Sequence, residues 1–589
     1  MICRRALVAM DTQEWLDLLN AAGIAASEEE ILWVLSNTPA HELQDRFKIL
    51  LSGGQGTGEK PTYQRNQIHA SLIWDQLMQR MEEDQPEPEW VPSLPEFAGE
   101  LITAGEALEM AAWDFGKVRR RKPAAVLRPA HTGDVASAIQ FCREWGVGLS
   151  PRGFAHSAGA QMQSRRGLVL DMKSMSKICS LESDYGESSF CEVEAGAGWD
   201  VVLKAAMEKG LTPPIVTDWL KVSVGGTISM GGFGFMSFWR GTQMDHLLEL
   251  EVVTGTGEVV RCSSEQNSEL FDAVRGTHGK FGIITRAKIP LEPAPEKVRL
   301  VQACYGSLSK MLDDFEVYAQ ERKTDLIHAF AAEKNRESIV TKMNSTETLP
   351  FEDASIDAAL SNIKGEWVYN LELVDFIGGP HDGQHPRVDE SALKCEPGLA
   401  ASWELGWEEF CFRIPPLVLE EQYRGAAPHP ELCSWVPMDS DGRKLLTDEF
   451  ERLHPEGDTG NGPVLFFPLK TDQVTPPWFR LPTSEYCLFW GLLRRADPGT
   501  PERIAELMVD NEEIFERILE IGGQRYLPDT PPETASFWKC HFGPLWQKIV
   551  RSRMRWDPDG VLGSSFGWHS HSRERKPDDD STPPSSGTP

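Results

Sequence analysis

The chain has 589 residues, 40% hydrophobic and 25% charged, enough for roughly two to four domains with a large core. Its 89 acidic residues against 59 basic ones leave a net charge of -30, a field that repels nucleic acid and anionic membrane surfaces. No stretch reaches the roughly 18 to 20 apolar residues of a membrane span, and the 11 cysteines stand singly without a CxxC pair, which argues against a zinc site or a disulfide framework.

The opening "MICRRALVAM" lacks a secretory core, so a cytoplasmic protein with reduced thiols is expected. Residues 1–96 are expected to form a helical extension with a linker. Trp15, Leu16, Leu18 and Leu19 recur at helical spacing, and Ser27 with Glu30 reads as a capping box. "QIHASLIWDQLMQRMEE" predicts another helix before the Pro-rich "DQPEPEWVPSLPE". From about residue 97 the pattern changes to short β-branched runs alternating with amphipathic helices. "AAVLRPA", "GLVLDM" and "CEVEAGA" predict strands; "TGDVASAIQFCREWG" and "WDVVLKAAMEKG" predict helices, the second ending at Gly210. "LELEVVTGTGEVVRC" reads as two strands around a Thr-Gly turn, followed by a strand in "KFGIITRAKIPLEP". The last residues, 569–589, are polar and Pro-rich, the composition of a disordered tail.

Two glycine-dense segments carry the chemical interest, "SPRGFAHSAGAQ" at 150–161 and "SVGGTISMGGFGFMS" at 223–237. Neither has the Gly-Lys-Ser/Thr ending of a P-loop or the placement of a Rossmann fingerprint. Small residues free a run of backbone N–H groups to cradle a pyrophosphate, and Arg152 adds positive charge. The plain alternative is a pair of tight turns.

These residues resemble the vanillyl-alcohol oxidase-type (PCMH-type) FAD flavoproteins, and within them the cytokinin dehydrogenases. The family loop R-G-x-G-H-S-x-x-G-Q is matched at Arg152, Gly153, His156, Ser157 and Gln161, with Ala155 where glycine is usual. "TDWLKVSVGGTISMGGF", "GKFGIITRAKIPLEPAP", "RYLP" and "HFGPLWQKIVRSRMRWDPDGVL" continue the similarity in order over about 105–568, and residues 1–95 have no counterpart in it.

The resemblance implies an α+β, two-domain architecture. A PCMH-type FAD-binding domain would take 97–294 and 527–568, and a cytokinin dehydrogenase-like α+β substrate domain 295–526. It implies FAD joined through its 8α-methyl to a ring nitrogen of His156, a position where neutral imidazole is a competent nucleophile. Around the cofactor it places Arg152, Gly153, Phe154, Ala155, Ser157, Gln161, Asp218, Ser223, Gly225, Gly226, Ser229, Ile283 and Tyr526. Relatives with a second, cysteinyl link have that cysteine where this chain has Trp219, so one attachment is expected. Ser564, Ser565 and Phe566 replace the family's Pro-Gly-Gln.

For catalysis the resemblance assigns Asp218, in "TDWL", as the acid that accepts a hydrogen bond from the substrate amine, and puts His328 where the family pairs it with glutamate. Read without the resemblance, Asp218 caps a turn and His328 is a surface histidine on a strand. Glu431 and Cys433 in "HPELCSWVP" replace the family's tryptophan and asparagine at the adenine-holding strand, which turns the expectation away from adenine-type substrates. The expected activity is FAD-dependent oxidation of a CH-NH or CH-OH group of a small molecule, with O2 or another acceptor taking the electrons. Its rivals are a cytokinin dehydrogenase proper and a non-catalytic flavin-fold module whose N-terminal region contacts a protein partner.

Overall fold

Short apolar runs separated by amphipathic helices fold here into three main sheets; a computed structural model describes residues 86–183, 189–340, 351–413, 427–531 and 535–563, together with Leu72, Asp75 and Gln79. The predicted helices within 11–51, the 569–589 tail and Ser564–Phe566 lie outside these residues.

The first sheet contains β1 (Glu100–Ile102), β2 (Ala125–Arg128), β3 (Leu149–Arg152) and β4 (Leu168–Asp171), in the order β1-β2-β4-β3. The pairs β2/β4 and β3/β4 are parallel, because the helix Thr132–Trp145 carries the chain back across the sheet and stops at left-handed Gly146. Leu562 forms a parallel bridge to Leu149, so the far end of the chain returns to this sheet. The second sheet is antiparallel, built from β5 (Ile178–Glu182), β6 (Phe190–Glu194), β8 (Glu249–Thr254), β9 (Val259–Cys262) and β10 (Gly282–Pro290) in the order β5-β6-β10-β8-β9. The predicted Thr-Gly hairpin is β8/β9, its turn closed by Gly257 at φ +83°. A small pair, β7 (Leu211–Thr212) with β11 (Glu292–Pro293), ties this region to the next.

The third sheet has eight strands: β12 (Lys297–Tyr305), β13 (Leu326–Glu333), β14 (Trp367–Ile377), β15 (Ala400–Gly406), β16 (Leu432–Pro437), β17 (Val464–Lys470), β18 (Tyr486–Leu492) and β19 (Gln524–Arg525). Their order is β15-β12-β14-β13-β17-β18-β16-β19, all pairings antiparallel. Alternation along the strands gives it two buried faces. Ile327, Ala329, Leu371 and Leu373 pack under the helices Leu308–Gln320, Ser440–Arg452 and Pro501–Glu520. Leu326, Val374, Phe467 and Phe489 face the other way, into a core shared with Val193, Val252 and Ile284 of the second sheet. That shared core fixes one sheet against the other. Among the described residues no helix is long and apolar enough to cross a membrane.

One carboxylate closes the first sheet. Asp134 is 4% exposed and accepts from Ala98 N at 3.0 Å, Gly99 N at 2.9 Å and Ala130 N at 2.8 Å, pinning the chain just ahead of β1 to the helix that follows β2. A hydrogen bond to a charged group is worth about 1.5–3 kcal/mol, and three buried donors are orphaned together on its loss. Asp134→Ala is therefore expected to lower the unfolding free energy by about 2–4 kcal/mol; a denaturant midpoint equal to that of the unsubstituted protein would show that this clasp is not structural.

Candidate functional site

The loop after β3 is held in a shape its residues resist. Ala155 and Ala160 both have φ +61°, the left-handed region that a Cβ disfavours by about 1–2 kcal/mol. The loop is pinned from two sides. Phe115 N donates to Ala155 O at 2.9 Å and the Asp114 carboxylate accepts from Ala160 N at 2.6 Å, while Ala158 N donates to Pro528 O at 2.7 Å and Gln161 Nε2 to Leu527 O at 2.9 Å. Gly153 is required because a Cβ there would collide with the Ser223 hydroxyl, so the two glycine-dense segments meet at this point.

The second segment is a helix, Val224–Met230, capped by Ser223, whose Oγ accepts from Gly226 N at 3.2 Å. Gly225 abuts Ala195, whose methyl would lie 2.9 Å from an added Cβ. Between these segments lies a cleft of about 1010 Å³, counted out to where it opens to solvent. Gly153, Phe154, Ala155, His156, Ser157, Gln161, Ser223, Gly225, Gly226, Ser229, Ile283 and Tyr526 all line it. Three expected residues do not. Arg152 turns its guanidinium away, donating to Trp113 O at 2.7 Å and Met110 O at 3.0 Å, so it braces the loop. Asp218 and His328 are also absent from the lining, and no hydrogen bond or ion pair joins them among the described residues.

Asp218 is half-buried and accepts from Trp219 N at 2.7 Å, the local turn bond that its plain reading predicts. It also stands beside the cleft. Burial pushes the Tyr526 phenol up in pKa, with Cys433 and the Asp218 carboxylate adding to that, and Tyr526 forms part of the wall while donating to Gly231 O at 3.1 Å. His328 is not the surface histidine of the plain reading; it is fully buried on β13, against Phe467 at 4.6 Å and Phe235 at 5.5 Å.

His156 is exposed and presents its ring to the open cleft; desolvation by the surrounding chain lowers its pKa, to about 4, and the imidazole is neutral at pH 7. Phe115 lies between its ring, at 5.4 Å, and that of His429, at 4.7 Å. A second imidazole, His278, lines the cleft at φ +61°, and burial, Lys280 and His541 hold its pKa well below the usual histidine value. Sequence reasoning missed it; the only signal was its place between Thr277 and Gly279 in a glycine-flanked turn. Behind the His156 loop sit three buried carboxyls. Burial raises Asp114 to about 6 against the hydrogen bonds from Ala160 and Lys117, and raises Asp529 to about 7 against Arg525. Burial, with Asp529 and Asp114 adding like charge, pushes Glu431 well above the carboxylate range.

The residues fit FAD: a concave, small-residue cradle at the meeting of two glycine segments, a neutral imidazole on its wall and buried polar groups beyond. Two outcomes follow from the loop. Ala155→Gly relieves about 1–2 kcal/mol of left-handed strain and costs about 0.5–1 kcal/mol of unfolded-chain entropy, so thermal stability is expected to rise by about 0.5–1 kcal/mol; a clear fall in melting temperature would contradict the strain. For Glu431 the folded pKa lies above the unfolded one, so its contribution to stability is full below pH 4.5 and is lost as pH rises toward the folded value. Glu431→Gln is expected to melt higher than the parent at pH 8 and nearly level with it at pH 5. A gap independent of pH would overturn the assignment.

Comparison with known proteins agrees with this geometry. Residues 123–263 match the family model described as an FAD binding domain, and residues 295–567 the model described as "Cytokinin dehydrogenase 1, FAD and cytokinin binding". The chain is 30% identical over 463 residues, 78% of its own length and 96% of the relative's, to an uncharacterized oxidoreductase of the fasciation locus of Rhodococcoides fascians. It is 32% identical over 470 residues to cytokinin dehydrogenase 4 of Oryza sativa subsp. japonica, covering 77% of this chain and 87% of that one. The crystal structure of 6-hydroxy-D-nicotine oxidase from Arthrobacter nicotinovorans has the same fold, with a TM-score of 0.54 at 19% identity over 79% of this chain and 97% of that one. With the cradle, the neutral imidazole and these likenesses together, the chain belongs to the cytokinin dehydrogenase-like family of FAD-linked oxidoreductases.

Proposed function

We propose that this oxidoreductase holds FAD covalently through His156 and oxidises a CH-NH or CH-OH group of a small molecule, with O2 or another acceptor regenerating the cofactor. The observation that carries the reading is the neutral imidazole of His156 on the cleft wall, in a loop clamped on both flanks. Bound FAD supplies the two-electron acceptor. The surrounding chain supplies the rest. In this reading His156, Gln161, Ser223, Gly225, Gly226, Ser229, Ile283 and Tyr526, all of them in the cleft lining, hold the cofactor.

Asp218 is the base of this reading. In this reading its carboxylate, which acts electrostatically on Tyr526 of the cleft wall, accepts the proton from the substrate's N–H or O–H, and so lets the neighbouring C–H electron pair leave as hydride. His328 is buried on the inner face of the eight-stranded sheet, off the cleft wall, and has no part in this reading. The proposed division of the chain follows: 97–294 and 527–568 for the cofactor, 295–526 for the substrate, and the segment before 97, whose Trp90 and Val91 pack in the core of the first sheet, as a docking element for a partner or a lid on the flavin domain.

A cytokinin dehydrogenase proper is the second reading, favoured by the match over 295–567. Against it stands Glu431, which is buried behind the His156 loop beside Asp529 and Asp114 and offers no aromatic face to an adenine ring. Anaerobic bleaching of the bound flavin separates the two. N6-isopentenyladenine as the only active compound favours the second reading, and 4-hydroxybenzyl alcohol or a benzylic secondary amine the first.

Acid precipitation of the purified protein is expected to retain the yellow colour, and His156→Ala to release it with the fold intact. Acid-stable flavin in that variant would remove His156 from the link. Asp218→Asn is expected to slow anaerobic flavin reduction about 10²–10⁴-fold in stopped flow, the usual range for loss of a general base; reduction at the parent's rate would remove Asp218 from that role.

A further inference from the structure

The second imidazole on the cleft wall sits on backbone that disfavours it. His278 is half-buried and lines the cleft at φ +61°, between Gly276 and Gly279, both at φ +68°. Glycine enters this left-handed region freely, whereas a residue with a Cβ is disfavoured there. Histidine therefore gives the turn nothing that a further glycine would not give at lower strain. Strain of this kind persists only where surrounding structure holds it, and it concentrates at active sites and ligand clamps.

The surroundings do hold it. Gly276 N donates to Ile228 O at 3.0 Å and His278 N to Ser229 O at 2.8 Å, so the turn is tied to the helix Val224–Met230, whose Gly225, Gly226 and Ser229 line the same cleft. Thr277 Oγ1 donates to Ala273 O, and Lys280 Nζ to Gly563 O at 3.0 Å, which fixes the turn at its two ends. The His278 ring stands edge-on to the fully buried indole of Trp538, with centroids 6.1 Å apart. Backbone and ring are both placed by groups outside the turn.

The groups that act on its charge are Lys280 and His541. Burial, with both of these adding to it, keeps the His278 pKa well below the usual histidine value, and burial lowers His541 itself to about 3. At pH 7 the ring is thus neutral, with one N–H to donate and one nitrogen to accept. Its place on the wall gains weight because Arg152 turns away from the cleft to the carbonyls of Met110 and Trp113.

We propose that His278 binds the cofactor directly: its imidazole donates a hydrogen bond to an acceptor oxygen of FAD, on the flavin ring or on the pyrophosphate. The inference rests on the reading above in which this cleft holds FAD, and it makes no use of the His156 link. A preorganised neutral donor contributes affinity without a buried charge to desolvate. The strain at position 278 is then explained by the cofactor rather than by the fold.

The test separates holding the cofactor from holding the cleft. His278→Gly keeps the left-handed turn and removes the imidazole; it is made in the full chain together with His156→Ala, so that flavin binds reversibly. Quenching of flavin fluorescence is expected to show the Kd for FAD raised about tenfold over His156→Ala alone, the value of one hydrogen bond. An unchanged Kd overturns the inference. Riboflavin and ADP, each competed against FAD, locate the bond: a loss confined to riboflavin places it on the flavin side, and one confined to ADP on the pyrophosphate. An equal loss on both pieces marks a distorted cleft and also overturns it. Where His278→Gly fails to fold, His278→Asn, which tolerates left-handed φ and has a shorter side chain, serves the same measurements.

The preceding reading fails separately. A parent protein that takes up no FAD contradicts that reading itself. Acid-stable flavin in His156→Ala removes only the link, and the effect of His278→Gly is then read from the FAD concentration that half-saturates uptake by apo-protein from riboflavin-limited cells, with the same tenfold rise expected and no rise overturning the inference.

Discussion

The loop from Arg152 to Gln161 has to place an imidazole on the wall of a cleft while two alanines in it sit at left-handed φ. A loop of this kind does not hold its own shape, because the strain at Ala155 and Ala160 favours relaxation by more than a single hydrogen bond resists. It is held by chain segments on either side of it in sequence. Asp114 and Phe115 clamp it from ahead, and Leu527, Pro528 and Thr530, some 366 to 372 positions later, from behind. The cofactor cleft therefore exists only once the C-terminal part of the chain has returned past the eight-stranded sheet.

The same return ties the large sheet to the cleft wall. β19 ends at Arg525 in the large sheet, and the next residue, Tyr526, is already on the cleft wall. Arg525 is fully buried between Glu512 of the long helix Pro501–Glu520 and Asp529, so the turn from one region to the other is anchored by an ion-paired guanidinium. The large sheet and the cleft wall are consequently joined through adjacent residues, Arg525 and Tyr526.

Much of the fold was legible in local pattern. The β2–helix–β3 alternation, the β8/β9 hairpin and the glycine segments are statements about period, caps and turns, and neighbouring residues decide those. Twelve of the expected cofactor residues meet in one cleft for a related reason: glycine and serine at these positions are there because backbones approach, as at Gly153 and Ser223. Arg152 was harder. A charge next to a glycine loop suggests an anion, but the carbonyls of Met110 and Trp113 were nearer. His278 gave almost no sign, since its position on the cleft depends on a backbone turn that packs against Ser229.

By itself the sequence determined the class of the protein, because motif order over most of the chain is a one-dimensional property. It also determined which residues are small enough to let a cofactor approach. Only the tertiary structure decided what surrounds each titratable group. His328 reads as a strand histidine in the sequence and is buried beside Glu372 and Arg413 once β13 and β14 are in register; the pKa of Glu431 is pushed up only when folding buries it, with Asp529 and Asp114 adding like charge. The physical reason is that protonation and orientation are set by desolvation and by charges a few ångströms away, and those neighbours lie 41 to 317 positions distant in the chain.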